Sequence, residues 1–123
     1  ISWHSHPFSD DENSFPSIED IDMVRCNPKN IFLLLTKRGI YFMKSVDKYI
    51  SVYDIFKFYC GLQSDKKSIE FDYDEIQESF LEFNDPRKII KVAKKYGLFI
   101  FFLENNKITD KKIEKYIEII SID

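Results

Sequence analysis

The spacing of apolar positions changes several times along this chain, and each change marks an element. Ile1–His6 reads as the last part of a strand that begins upstream, and Pro7–Pro16 as a polar loop interrupted by Phe8 and Phe15. Ser17 opens a helix: Ser17-Ile18-Glu19-Asp20 has the form of a capping box, Ile18, Ile21 and Val24 recur at helical spacing, and Asn27-Pro28 ends the run. Ile31–Thr36 and Ile40–Lys44 are apolar runs joined by Lys37-Arg38-Gly39, which predicts a hairpin. Val52, Ile55, Phe56 and Tyr59 predict a helix ending near Gly61, and Ser68–Asp72 a short strand. Asp72-Tyr73-Asp74-Glu75 looks like a second capping box, opening a helix through Ile76, Phe80 and Phe83. Asp85 before Pro86 is a helix start, and Gly97 a helix stop. The apolar run Leu98–Leu103 predicts a buried strand, and Ile113, Tyr116, Ile117 and Ile120 share one face of a last helix from about Thr109. A strand, a helix, a hairpin and then a helix-rich half with one more strand make an α+β layout.

Composition narrows the function classes. Hydrophobic residues make up 44% and aromatics 16% of the 123 residues, enough for a packed core and too much for a disordered chain. A formal charge of −3 argues against general nucleic-acid binding. The densest basic cluster (Arg87, Lys88, Lys91, Lys94, Lys95) falls at helical spacing and reads as a solvated helix face. Cys26 and Cys60 form no CxxC pair, so two reduced thiols in an intracellular, cytoplasmic protein are expected. Neither Ile31–Leu35 nor Leu98–Leu103 is long enough to span a bilayer, and no signal peptide is visible.

The candidate chemistry sits at the start. In an extended segment residues two apart face the same way, so His4 and His6 can offer both imidazoles to one ion while Ser5 faces away. Ser17 and Asp20 have a plain reading as a helix cap, worth about 1 kcal/mol. The two readings are compatible, because a capped helix start also fixes where Asp20 points.

His4-Ser5-His6-Pro7 followed by Pro16-Ser17-Ile18-Glu19-Asp20 resembles the motif of the JAMM (JAB, MPN+) zinc isopeptidases in residue type, order and polarity. The resemblance is specific over residues 2–20 and compatible through the hairpin near Lys44. It implies a cytidine-deaminase-like MPN/JAB fold, with residues 1–46 as the C-terminal part of the catalytic domain and 47–123 as a helix-rich extension of it. By the same resemblance His4, His6 and Asp20 would be zinc ligands, and Ser17 would stabilise the developing oxyanion. The substrates implied are conjugates of ubiquitin or a ubiquitin-like protein, cleaved at an isopeptide bond by zinc-activated water. Two alternatives accompany that reading: an inactive MPN-type scaffold for protein assembly, and a bacterial-type JAB peptidase acting on other small proteins.

The chain departs from the family pattern twice. Thirteen residues separate His6 from Asp20, more than the family usually places there, while the Ser-x-x-Asp spacing is kept. The additional residues are therefore expected to enlarge the loop around Asp10–Ser14. The family's general-base Glu has no counterpart: Glu12 lies in that loop, and Glu19 is one residue from Asp20, about 100° around the helix. The base is expected upstream of Ile1.

Overall fold

In a computed structural model of the chain, the residues described are 1–6, 14–45, 72–81 and 85–121. The predicted loop at 7–13, the helix at Val52–Gly61, the strand at 68–71, Phe83, Glu12 and Cys60 lie outside them. The architecture is α+β: a four-stranded mixed sheet with four α-helices among the described residues.

In chain order these are β1 (Ser2–Ser5), α1 (Ile18–Cys26), β2 (Phe32–Leu35), β3 (Gly39–Ser45), α2 (Tyr73–Leu81), α3 (Pro86–Lys95), β4 (Leu98–Glu104) and α4 (Asp110–Ser121). A short 3₁₀ turn at Asn105–Lys107 precedes α4. Strand order follows the chain, β1-β2-β3-β4. β1 runs parallel to β2, as the α1 crossover between them requires, while β2–β3 and β3–β4 are antiparallel.

The predicted hairpin forms around Lys37-Arg38, closed by Thr36 N donating to the Gly39 carbonyl (2.8 Å) and Thr36 Oγ1 to the same oxygen (2.9 Å). Gly39 is obligatory there, since a Cβ would stand 2.1 Å from the Leu103 carbonyl oxygen and 2.9 Å from the Phe102 ring. Gly97 ends α3 in the left-handed region at φ 73°, its N–H bonded to the Lys94 carbonyl. Asp85 caps α3 through Arg87 N (3.2 Å), and Thr109 Oγ1 accepts from Lys112 N (3.2 Å) at the start of α4.

The second capping box forms only in half. Asp72 Oδ1 accepts from Asp74 N and Glu75 N. The Glu75 carboxylate turns instead to α3 and its cap, taking Tyr96 Oη–H at 2.5 Å and Lys95 Nζ at 2.9 Å. Those bonds hold the Glu75 carboxyl below its ordinary pKa, Tyr96 contributing most and Lys95 next. A tertiary pairing between α2 and α3 has taken over a group that local sequence assigned to a cap.

Strand alternation sorts side chains onto two faces. Phe32, Leu34, Tyr41, Met43, Leu98, Ile100 and Phe102 meet Ile21 and Val24 of α1, Ile76 and Phe80 of α2, and Ile89 and Ala93 of α3. Phe42 and Leu103 on the opposite face meet Ile120 of α4, flanked by Ile113, Tyr116 and Ile117. Among the described residues the sheet therefore lies between three helices on one face and one on the other. Lys44 is buried on the α4 face and donates from Nζ to the Ile120 carbonyl at 3.1 Å, placing a cation in the last turn of α4. The basic residues of α3 (Arg87, Lys88, Lys91, Lys94, Lys95) are all exposed, as their spacing predicted. Cys26 is exposed and unpaired by disulfide. No helix among the described residues is long and apolar enough to cross a membrane.

Candidate metal centre

Two neighbouring elements of the crossover build the site. On β1, His4 is in register with Leu34 of β2, so its side chain shares the face that α1 covers. Parallel pairing continues past the end of the strand, where His6 N donates to the Leu35 carbonyl at 3.0 Å. His6, two residues on, thus emerges on the face of His4, with their ring centroids 5.4 Å apart. Ser5 and Trp3 belong to the other face, and Trp3 is 69% exposed there.

α1 supplies the carboxylate. Ser17 is the N-cap in extended conformation, and the predicted capping box is complete: Asp20 N donates to Ser17 Oγ (3.2 Å) and Ser17 N to Asp20 Oδ2 (2.9 Å). This fixes the Asp20 side chain at the positive end of the helix, where an anion is favoured by about 0.3–1 kcal/mol. Ile21 and Val24, buried on the sheet, set the rotation of α1 that aims Asp20 at β1.

The three side chains converge. His4 Nε2 lies 2.8 Å from Asp20 Oδ1, and His6 Nε2 lies 3.0 Å from Asp20 Oδ2. One ligand atom from each falls within 4.8 Å of the others, and these three residues form the compact group of metal-ligating type among the described residues. Asp20 is buried, whereas the His4 side chain is 37% exposed, so the cluster is rooted in the core and open to solvent on one side.

Two imidazoles and a carboxylate are a donor set zinc accepts, with the fourth position of a tetrahedron left to a small ligand. Neighbouring ligands of a tetrahedral zinc with bonds near 2.0–2.1 Å stand about 3.3 Å apart. The His–Asp separations of 2.8 and 3.0 Å, each to a different Asp20 oxygen, lie near that value, and all three ligand atoms fall within 4.8 Å, so the residues fit the ion after side-chain adjustment.

Ser17, predicted as an oxyanion donor, sits beside the cluster. Its Oγ accepts from Asp20 N, and a hydroxyl used as an acceptor keeps its proton for donation. Glu19 is exposed and does not join the three-residue group.

The segment entering α1 is held by residues that the sequence did not single out for the site. Tyr73 of α2 donates from Oη to the Pro16 carbonyl at 2.8 Å, and Tyr41 of β3 donates to the Ser14 carbonyl at 3.2 Å. Phe15 stacks on Phe80 at 6.3 Å between centroids. Burial raises both phenols, Tyr41 most strongly; Tyr73 is pushed up to about 12 by burial first and then by the negative charge of Asp20 and Glu19. Tyr73 was visible only as part of a capping box, and nothing in one sequence pairs residue 73 with residue 16. No protein-family model, no curated protein and no solved structure matches the chain.

Proposed function

We propose that this chain carries the metal-binding half of a JAMM-type zinc isopeptidase centre, within a cytidine-deaminase-like MPN/JAB fold. The supporting observation is the convergence of His4 and His6 from β1 with Asp20 from the first turn of α1. Those are the elements on which the motif resemblance depends, a strand end followed by a capped helix. The substrate class proposed is a ubiquitin or ubiquitin-like conjugate joined through an isopeptide bond.

In this reading His4, His6 and Asp20 hold the ion. When bound, zinc supplies Lewis-acid polarisation of a carbonyl and activation of water at neutral pH. The chain's own contribution is positional. The β1–β2 ladder holds the imidazoles, the capping box holds the carboxylate, and the Ser17 hydroxyl stands ready to donate to oxygen that gains negative charge. No carboxylate among the described residues stands beside the triad as a general base, and general-base loss costs about 10²–10⁴ in rate. The resemblance places that base upstream of Ile1; the alternative reading is an MPN-type scaffold that assembles proteins instead of cleaving them.

Metal content and turnover separate the two readings when measured on one preparation of a protein that includes the sequence upstream of Ile1, where the resemblance places the base; residues 1–123 alone are expected to bind zinc without turnover. One zinc per chain, with hydrolysis of a ubiquitin–lysine isopeptide that disappears in His4→Ala/His6→Ala, is expected of the enzyme. One zinc without turnover supports the scaffold. Full zinc retention in the double variant refutes the ligand assignment itself.

A further inference from the structure

We infer that Tyr73 is a positioning residue for Asp20, so that α2 determines how well the triad binds its metal. The inference rests on the zinc reading above and extends it to an element more than fifty residues away in sequence.

A continuous run of short contacts links the two residues. Tyr73 Oη–H is bonded to the carbonyl of Pro16 (2.8 Å), the residue directly before the N-cap. The next peptide N–H, that of Ser17, is bonded to Asp20 Oδ2 (2.9 Å), and the two Asp20 oxygens face His6 and His4. Pro16 and Ser17 share a planar peptide unit, so holding the Pro16 oxygen also orients the Ser17 N–H. That N–H in turn orients the carboxylate. Among the described residues Tyr73 is the side chain bonded to the Pro16 carbonyl; Tyr41 reaches two residues further back, to Ser14, and Phe15 packs on Phe80.

The polarity agrees with the geometry. A hydroxyl donating to a peptide oxygen draws electron density from the amide and strengthens its N–H as a donor, as in other chained hydrogen bonds. A carboxylate gripped in this way stays directed at β1 instead of rotating towards solvent. Partners behind metal ligands typically change affinity by about 10–100-fold when lost. Tyr73 acts through one intervening peptide, so the lower end of that range is expected.

The experiment compares zinc affinity in native protein, Tyr73→Phe and Tyr96→Phe, using competition with a chromophoric chelator, alongside thermal melts in excess chelator. Tyr96→Phe is the control, because it removes another buried-ring hydroxyl bonded to α2, at Glu75, away from Asp20. Both variants are expected to melt somewhat lower, and only Tyr73→Phe to bind zinc about 10-fold more weakly. Its cobalt-substituted form should also show an altered visible ligand-field spectrum.

Equal zinc affinity in native protein and Tyr73→Phe overturns the positioning role while leaving the zinc reading intact. Equal weakening in both variants overturns it too, since the effect would then be general loosening. Absence of zinc binding in the native protein overturns the zinc reading, and the inference with it. A second measurement does not depend on either variant folding: in 3-fluorotyrosine-labelled protein, the Tyr73 resonance should shift on zinc addition while that of Tyr116, on the α4 face, does not. An unresponsive Tyr73 resonance counts against the inference.

Discussion

Asp20→Asn separates the helix-cap role of Asp20 from the zinc-ligand role proposed for it. Asparagine has the same shape and can still accept from Ser17 N, so the helix cap survives while the charge is lost. With zinc chelated, the loss should be modest. A neutral amide replaces a carboxylate facing two imidazoles, and each imidazole can shift its proton to the other nitrogen, giving about 0.5–1.5 kcal/mol. Asp20→Ala, which also removes the cap, should lose about 2–3 kcal/mol under the same conditions. With zinc the order of effects changes. At free zinc 1,000 times its Kd the native protein gains about 4.1 kcal/mol. Loss of an anionic ligand should weaken binding beyond the range for outer partners, by about 100-fold or more. At the same free zinc Asp20→Asn would then gain about 1.4 kcal/mol or less. For a domain of this size each kcal/mol moves Tm by about 3–6 °C, so zinc-dependent shifts of about 12–25 °C and below about 8 °C are expected. Melts of the native protein and both variants, with buffered zinc and with chelator, measure this directly. A full zinc-dependent shift in Asp20→Asn would reduce Asp20 to a helix cap and remove it from the ligand set.

Ser17→Ala should cost about 1 kcal/mol of stability through the cap and keep zinc, while kcat on an isopeptide substrate falls by about 10²–10³; turnover at the native rate would leave Ser17 as a cap alone. Gly39→Ala places a Cβ 2.1 Å from the Leu103 carbonyl and should destabilise the β3–β4 pair by about 3 kcal/mol, the upper end for overpacking, read by urea denaturation. An unchanged urea midpoint would show that the hairpin yields more easily than its packing indicates. Alkaline pH should unfold the protein through its raised phenols: Tyr41 and Tyr73 hold their protons longer when folded, so their contribution is complete below about pH 10 and fades as pH climbs towards about 12. Tyr41→Phe should flatten that decline in a pH series of denaturation curves, and an identical slope would assign the alkaline loss to other groups.

Much of the local architecture was legible because single residues specify it. Lys37-Arg38-Gly39 marked the hairpin, Ser17-x-x-Asp20 the cap of α1, and Gly97 the end of α3, each through a backbone requirement confined to a few positions. The apolar run at Leu98 announced a strand but not its partner, since every residue of such a run suits either face of any sheet. That β4 pairs with β3, and that β1 lies parallel to β2, depends on which helices cover which face. Lys44 shows the same limit: a lysine at a strand end reads as solvent-facing until α4 arrives with a carbonyl to receive it. At the site, the relation of His4 to His6 followed from strand periodicity. Their approach to Asp20 depends on the rotation of α1, which Ile21 and Val24 set through tertiary contacts. The Glu75 carboxylate was misjudged for a related reason, because a competing donor on Tyr96 outbids the local cap.

The register of β3 against β4 bears on the order in which the molecule assembles. β1, α1, β2 and β3 follow one another in sequence with no connection longer than twelve residues, so the crossover and hairpin can form from near neighbours. Pairing Gly39 with Glu104 and Ser45 with Leu98 instead closes a loop of roughly sixty residues, and that entropy must be met before any ladder bond rewards it. α2, which carries Tyr73, lies inside that loop. His4, His6 and Asp20 are therefore expected to come near one another early, while the final aim of Asp20 waits on the slowest closure. In a refolding experiment, capture of zinc at native affinity should lag behind the appearance of helical signal and coincide with burial of the β3–β4 aromatics. The ion would then report the last step of folding, not the first.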